Sequence, residues 1–259
     1  MLQTIAKEVS LLTISDLVSL QFDFATKSFE ENFETLSSLV KKTKQNSLVL
    51  APEFCLSGYS YAKLEESAKF SQKILPELKM LSKDRILSLT LTQKKDGKFY
   101  DNAKIFYDGD EIYSRAKAKL FSIGDEQKYF QSGKTNDIGI LSIDKVKIAL
   151  LICFELRFTE LWDKIKGADV VLIPAFWGKA RKSHLRALGI ALAIANQCFV
   201  IISNSSDDDM ASNSCIINPF GVITEDDNLN IITMPYDKKI IKKMRRYINI
   251  GLEQNVKNR

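Results

Sequence analysis

Val146-Lys147-Ile148-Ala149-Leu150-Leu151-Ile152-Cys153-Phe154-Glu155-Leu156-Arg157-Phe158-Thr159-Glu160 is the stretch around which the rest of the chain is organised. Val146, Ile148, Ala149, Leu150, Leu151 and Ile152 crowd into so short a span that they read as a strand covered on both faces, and the charged residues after them mark where it surfaces. A buried strand therefore ends on a thiol. Side chains at the carboxyl ends of strands in layered α/β proteins point into the crevice where ligands bind. A helix over residues 159–166 would bring backbone N–H groups near Cys153 and favour its thiolate. On position alone the thiol reads equally as a packing residue, because free cysteine is among the most buried residue types.

A chain of 259 residues, 45% of them hydrophobic, can bury a large core, and one layered domain over 1–259 is expected, with residues 1–16 as an N-terminal extension and 238–259 as a basic tail. Five Pro and 11 Gly are scattered without a low-complexity tract or a solenoid repeat. The start, Met1-Leu2-Gln3-Thr4-Ile5-Ala6-Lys7-Glu8, lacks the basic region of a secretory signal, and no apolar stretch reaches membrane-spanning length. A cytoplasmic protein with no membrane partner is expected. Cys55, Cys153, Cys198 and Cys215 lie far apart with no C-x-x-C pair, which argues against a disulfide framework and a zinc site. Reduced thiols, no metal and no other cofactor follow. The +5 formal charge gathers partly in Lys238, Lys239, Lys242, Lys243, Arg245 and Arg246. With no interleaved aromatics and no nucleic-acid motif, this cluster reads as a solvated helix face or a subunit contact.

Along the chain, residues 17–23 form a first strand, and Thr26 or Ser28 caps a helix with Phe29, Phe33, Leu36 and Val40 on one face. Residues 47–51 are a short buried strand running into Pro52-Glu53-Phe54, so Glu53, like Cys153, follows a strand. A charged helical segment over 63–81 precedes a strand over 86–92, and Asp96-Gly97 and Asp108-Gly109 flank the next strand as two hairpin turns. The strand over 111–116 then delivers Lys117. Beyond the cysteine come a strand over 169–173, a helix over 183–195, a strand over 198–203, a Pro219-Phe220-Gly221 turn between short strands, and a last strand over 231–234. Helices mixed with both hairpins and crossovers imply an α/β fold with helices outside one or two sheets.

Glu53, Lys117 and Cys153 thus end three different strands and supply a base, a cation and a soft nucleophile. A glutamate can take a thiol proton, and an ammonium can stabilise both a thiolate and the oxyanion of a tetrahedral intermediate. Charged residues after strands are also often merely solvated.

The same residues carry a resemblance. Leu50-Ala51-Pro52-Glu53 with Gly58-Tyr59, then Lys117-Ala118-Lys119-Leu120-Phe121, then Cys153-Phe154-Glu155-Leu156-Arg157-Phe158 follow the order and spacing of the three signatures of the nitrilase (carbon-nitrogen hydrolase) superfamily. Tyr100-Asp101-Asn102, Glu126 with Phe130 and Gly133, Asn196-Gln197-Cys198 and the segment from Ser214 to Gly221 extend it, so the chain resembles that family from about Leu17 to Arg246. It departs at Lys119, where the family has histidine, at Glu155 in place of aspartate, at Thr159 in place of proline, and at Leu192, Ala195 and Ser212.

This resemblance implies a four-layer α-β-β-α sandwich of the nitrilase type, with Glu53 as general base, Lys117 as oxyanion stabiliser, Cys153 as nucleophile and Glu126 as a second glutamate positioning Lys117 and the substrate. It implies a thiol amidohydrolase that acts on a small linear amide or N-carbamoyl compound through a Cys153 thioester and releases ammonia or an amine. A nitrile hydrolase using the same residues and a non-catalytic scaffolding member are the alternatives. A homodimer or higher homo-oligomer is implied as well. Phe54, Tyr59, Phe154, Phe176 and Trp177 are candidates for the pocket wall. His184 reads as a surface or capping residue ahead of one at the pocket mouth, and Glu155 and Arg157 as an internal ion pair that fixes the turn after the cysteine, ahead of binding a substrate carboxylate or ammonium.

Overall fold

Alternating inward and outward side chains on short strands dictate two sheets packed face to face. A computed structural model of the chain describes residues 13–252. Its strands are, in chain order, β1 (Asp16–Leu20), β2 (Leu48–Leu50), β3 (Ile86–Lys95), β4 (Lys98–Tyr107), β5 (Asp110–Ala116), β6 (Ile140–Ile143), β7 (Val146–Leu150), β8 (Val170–Pro174), β9 (Phe199–Ser203), β10 (Cys215–Ile217), β11 (Ile223–Glu225) and β12 (Ile231–Pro235). The helices are α1 (Phe29–Lys41), α2 (Leu64–Lys73), α3 (Leu75–Leu81), α4 (Glu126–Tyr129), α5 (Thr159–Lys164), α6 (Lys182–Asn196) and α7 (Lys238–Tyr247). One six-stranded sheet runs β12-β1-β2-β3-β4-β5 and the other β11-β10-β9-β8-β7-β6.

Both sheets are parallel at the centre and antiparallel at the edges. β1, β2 and β3 run parallel in the first, β7, β8 and β9 in the second. In the first sheet β3, β4 and β5 form two successive hairpins. Asp96 and Gly97 turn the first at φ 50 and 73, and Asp108 and Gly109 turn the second at φ 49 and 84. Both central residues of each turn lie in the left-handed region that a tight, right-twisted hairpin demands.

Leu17, Leu48, Leu50 and Ile86 face Ile148, Leu150 and Val171 of the other sheet in one inner core, whereas Val18, Leu20, Val49 and Leu87 pack outward against α1, α2 and α3. α6 contributes Leu185, Leu192 and Ala193 to the covering of the second sheet. The result is a four-layer α-β-β-α sandwich of the nitrilase type. The two sheets are also stitched by hydrogen bonds at their centres. Ser19 on β1 donates to the Ile202 carbonyl at 2.6 Å, and Ser203 on β9 donates to the Leu20 carbonyl at 2.5 Å.

Where sequence and structure differ, a local reason is visible. The charged helical segment over 63–81 breaks into α2 and α3 at Ile74, because Pro76 has no N–H to continue the ladder and suits a helix start instead. The expected helix over 159–166 shrinks to the six residues of α5, preceded by a tight turn of 3₁₀ helix over Cys153–Arg157. Gly139 precedes an edge strand, β6, that the sequence pattern does not announce; it pairs antiparallel with β7. The basic cluster forms α7, which buries Ile241 and Met244, and Lys238 and Arg245 of this helix pair with the buried Asp169. Residues 1–12 of the expected extension and 253–259 of the expected tail lie outside the described residues. Among the described residues no helix is long and apolar enough to cross a membrane.

Ser19→Ala and Ser203→Ala each remove one bond that joins the sheets, in a site with no solvent to replace it. Each is expected to cost about 1 to 2 kcal/mol, read as a lowered urea midpoint with an unchanged slope. Midpoints equal to that of the unaltered protein in both variants would show that apolar packing alone joins the sheets.

Candidate active site

Three segments leave the sheets on the same side of the sandwich. The first follows β2. The Glu53 N–H donates to the Ala175 carbonyl beyond β8 at 3.2 Å, and the Phe54 N–H donates to Thr90 Oγ1 on β3 at 2.7 Å, so this turn is gripped by both sheets. Phe54 takes φ 50, a left-handed conformation that costs a side-chain-bearing residue about 1 to 2 kcal/mol. Asn32, buried in α1, reaches the Phe24 and Leu56 carbonyls at 3.0 and 3.1 Å and closes the same loop from outside.

The second segment follows β5. The Lys117 N–H donates to the Asp101 carbonyl on β4 at 2.8 Å, and the Lys117 carbonyl accepts from the Gly133 N–H at 2.8 Å. A methyl group at Gly133 would stand 2.4 Å from the Ala116 carbonyl oxygen, so only glycine lets the returning chain pass this close to the lysine. The Lys117 ammonium is fully buried. It donates to Glu53 at 2.7 Å, to Glu126 at 2.9 Å and to the Tyr59 hydroxyl at 3.3 Å, and Tyr59 in turn donates to Glu126 at 3.0 Å. Glu126 opens α4, and its other oxygen accepts the Phe121 N–H at 2.9 Å.

The third segment carries Cys153, at φ 46 the first residue of its 3₁₀ turn. Glu155, two residues on, has no solvent exposure and accepts four hydrogen bonds: two from Arg115 at 2.5 and 3.0 Å, one from the Ala118 N–H at 2.6 Å and one from the Ile152 N–H at 2.7 Å. Arg115 and Ala118 flank Lys117, while Ile152 precedes Cys153. One carboxylate therefore locks the lysine segment onto the cysteine segment. The expected Glu155–Arg157 ion pair does not form: Arg115, already buried behind the turn, satisfies Glu155, and Arg157 projects the other way to stack on Trp177 at 4.5 Å.

Glu53, Lys117, Cys153 and Glu126 are thus brought together from four separate segments. Burial comes first among the causes that shift the protonation of Lys117, Cys153 and Glu126. It pushes the Cys153 thiol well up, and the negative charge of Glu53 adds to this against the pull of Lys117. The thiolate expected from a nearby helix start is not favoured, since the 3₁₀ turn intervenes before α5 and the nearest charges include carboxylates. Burial opposes the Lys117 charge, but the surrounding Glu53, Cys153, Glu126 and Asp101 outweigh it and hold the ammonium well above its ordinary range. Glu126 is raised by burial despite its contact with Lys117. Lys119 is different: part-exposed, it lies over the Phe158 ring at 4.5 Å and 3.4 Å from Glu160. β5 ends at Ala116, so the strand alternation that would have put both lysines on one face no longer applies.

Cys153 opens onto a small recess lined by Phe121, Phe154, Arg157, Phe176, Trp177 and Arg181. Phe154, Phe176 and Trp177 stand in its wall as expected from their sequence positions. Tyr59 lies behind it, on the carboxylate side, against Phe54 and Phe176 at 4.9 and 5.3 Å between ring centres. Asn204 pins Trp177 at both its N–H and its carbonyl. Arg181 lies over Phe121 at 5.2 Å, and Arg157 meets the exposed His184 at 3.2 Å. Burial and the Arg181 charge both lower the pKa of Arg157, as two like charges at one mouth must. Among the described residues neither arginine is paired with a carboxylate, and no group of three His, Cys, Asp or Glu side chains is arranged to hold a metal ion.

Arg115, Arg181, Asn32 and Asn204 were not found from sequence. Arg115 had one signal, its place two residues before Lys117 on a strand; the others sit in helices or loops whose side-chain directions only the fold reveals.

The site can be compared with known proteins. The carbon-nitrogen hydrolase family model matches residues 18–238. A 2-oxoglutaramate amidase of Bacillus subtilis (strain 168) is 33% identical over 214 residues, covering 78% of this chain and 82% of that protein. A deaminated glutathione amidase of Escherichia coli O157:H7 is 26% identical over 211 residues, covering 76% and 80%. Among solved structures, a CN-hydrolase superfamily protein from Xanthomonas campestris superposes with a TM-score of 0.80 at 18% identity, over 90% of this chain and 94% of its own. At that identity the likeness is one of fold.

A raised thiol pKa leaves little thiolate at neutral pH, and the fraction grows about tenfold per pH unit until the pKa is reached. Iodoacetamide is expected to label Cys153 alone, since Cys55, Cys198 and Cys215 have no solvent exposure. Its rate should still be climbing above about pH 8.5, the ordinary thiol value. Peptide mass spectrometry measures this, and a rate already level at neutral pH would mean a resting thiolate instead.

Proposed function

The chain belongs to the carbon-nitrogen hydrolase family, and from that premise we propose that it is a thiol amidohydrolase for a small linear amide or N-carbamoyl compound that bears a free carboxylate. The observation that carries the substrate class is the pair Arg157 and Arg181, two cations without carboxylate partners among the described residues, at the mouth of an aromatic recess that ends on Cys153. Guanidinium groups bind carboxylates in matched two-point geometry, and stacking on Trp177 and Phe121 holds both side chains in place for it. The names of the two relatives, a 2-oxoglutaramate amidase and a deaminated glutathione amidase, describe amides of carboxylic acids and agree with this reading.

In the proposed reaction the substrate carboxylate docks at the arginines and its amide carbonyl lies over Cys153. Glu53 takes the thiol proton as sulfur attacks the carbonyl carbon, which suits a thiol whose burial keeps it protonated at rest. Lys117 and the N–H after Cys153 stabilise the oxyanion, a charge that exists only beyond the ground state. The C–N bond then breaks, and the proton held by Glu53 leaves with ammonia or the amine. Water, deprotonated by Glu53, attacks the thioester; the acid departs and the proton returns to sulfur. Glu126 and Tyr59, bonded to each other and to Lys117, keep the ammonium aimed.

Ammonia release across ω-amides with a free carboxylate, their methyl esters, N-carbamoyl amino acids, simple aliphatic amides and nitriles tests this. A carboxylate-bearing amide or carbamoyl compound should be turned over, its ester at least about tenfold less well. Arg181→Ala should raise KM for the acid by about tenfold or more, as loss of a charged hydrogen bond does. Cys153→Ala should lose about 10³-fold or more in kcat while keeping its fold. Preference for the ester, or for a nitrile, would overturn the substrate class, and an active Cys153→Ala the mechanism.

A homodimer belongs to the same proposal. Tyr247, Ile248 and Ile250 at the end of α7 are 76%, 46% and 45% exposed, an apolar edge better covered than bare. Light scattering at micromolar concentration should give twice the chain mass, and a monomer there would count against it.

A further inference from the structure

Hydrogen-bond accounting around Lys117 leaves a remainder. An ammonium has three hydrogens, and Glu53, Glu126 and the Tyr59 hydroxyl take them. A third carboxyl, that of Asp101 on β4, stands 3.7 Å from the same nitrogen, too far for a hydrogen bond. Asp101 is 1% exposed, and neither of its carboxyl oxygens has a hydrogen-bond partner; the second oxygen of Glu53, Oε2, is likewise buried and without one. The two carboxyls meet at one ammonium: Lys117 Nζ lies 2.7 Å from Glu53 Oε1 and 3.7 Å from Asp101 Oδ2, so each carboxyl feels the other's charge. Two carboxylates in contact cannot both stay ionised in a dry interior, and an ionised carboxylate with no donor is among the costliest buried arrangements. One shared proton removes both difficulties.

We propose that Asp101 is a positioning residue, a neutral carboxylic acid whose O–H donates to Glu53 Oε2 and holds the Glu53 carboxylate between itself and Lys117. The proton is assigned to Asp101 because Lys117 lies 2.7 Å from Glu53 and so favours the charged form there, whereas Asp101 has no donor of its own. The surroundings agree. Asp101 faces Glu53 from the turn after β2, Lys117 and Arg115 from the end of β5, Glu126 from α4, and Tyr59 across the site. Arg115 is already neutralised by Glu155. Burial, then the charge of Glu53, pushes the Asp101 carboxyl well up, and Lys117 offsets this only in part. The backbone of Asp101 cannot swing away, since it pairs with Thr92 on β3 and its carbonyl accepts the Lys117 N–H.

Each carboxylate oxygen has two lone pairs, so donation from Asp101 leaves Glu53 able to take the Cys153 proton. Asp101 keeps its own proton throughout, and no bond to it is made or broken. Its part is to orient the base and to favour its charged form, and this rests on the role of Glu53 proposed above.

Infrared difference spectra of Asp101→Asn against the unaltered protein at neutral pH test the protonation directly. The carbonyl stretch of a protonated carboxylic acid should be present in the unaltered protein and lost in the variant; its absence from the unaltered protein would overturn the proposal. This arm needs no substrate, so it fails or holds independently of the proposed reaction. Kinetically, Asp101→Ala removes the donor. It should lower kcat/KM by about 10- to 100-fold and move the acidic limb of its pH profile upward, because the base loses a bond that favours its charged form. Asp101→Asn, which donates through its amide, should recover most of that loss and return the limb toward its original place. Equal damage in both variants, or a limb that does not move in Asp101→Ala, would mean that Asp101 serves as an ionised counter-charge or as packing.

Discussion

The ammonium of Lys117 has no contact with solvent and lies 2.7 Å from Glu53 and 2.9 Å from Glu126, and the site is arranged around that buried charge. Leaving it unpaired would cost several kcal/mol, so carboxylates must come to it from elsewhere in the chain. They arrive from the turn after β2 and from α4, segments with no sequence proximity to one another. The same negative charges that hold the ammonium act against a thiolate at Cys153. The proposed reaction is accordingly that of a thiol beside a base, with the cation assigned to charge that develops during reaction.

A second buried pair, Arg115 with Glu155, sets where the first can form. Glu155 bonds to both sides of Lys117 through Arg115 and Ala118, and to the residue before Cys153 through the Ile152 N–H. Arg115 also donates to the Leu150 carbonyl at the end of β7, at 2.8 Å. β5 belongs to one sheet and β7 to the other, so these bonds tie the two sheets at the edge of the sandwich where the site lies. Ser19 and Ser203 do the same at the centre. With both ties in place, Phe54 and Cys153 can be held in left-handed backbone conformations that neither would keep in an isolated loop.

Much of the fold was legible because it is written in short periodicities. Two-residue alternation and the Asp-Gly turns announced the hairpins of β3, β4 and β5, and the apolar run before Cys153 announced β7. What was misjudged lay where a local pattern is overridden or absent. Residues 159–166 have a helical pattern, and α5 starts at Thr159 as expected but gives way after Lys164 to a turn that ends at Gly167, φ 93. β6 is an edge strand with one buried residue in four, too weak an alternation to recognise.

The sequence by itself determined the candidates: strand ends bearing Glu53, Lys117 and Cys153, in the order and spacing of the carbon-nitrogen hydrolase signatures. Covalent order and residue type are local properties, and a linear reading captures them. Only the tertiary structure decided the pairings. Arg115 rather than Arg157 neutralises Glu155, Lys117 rather than Lys119 meets Glu53 and Glu126, Arg181 joins Arg157 at the recess, and Asp101 stands beside Lys117 with no hydrogen-bond partner. Each outcome depends on which way a side chain leaves the backbone once strand geometry ends, and on which buried donor finds an acceptor first within about 3 Å. Those are properties of the packed interior, where water no longer offers every polar group a partner.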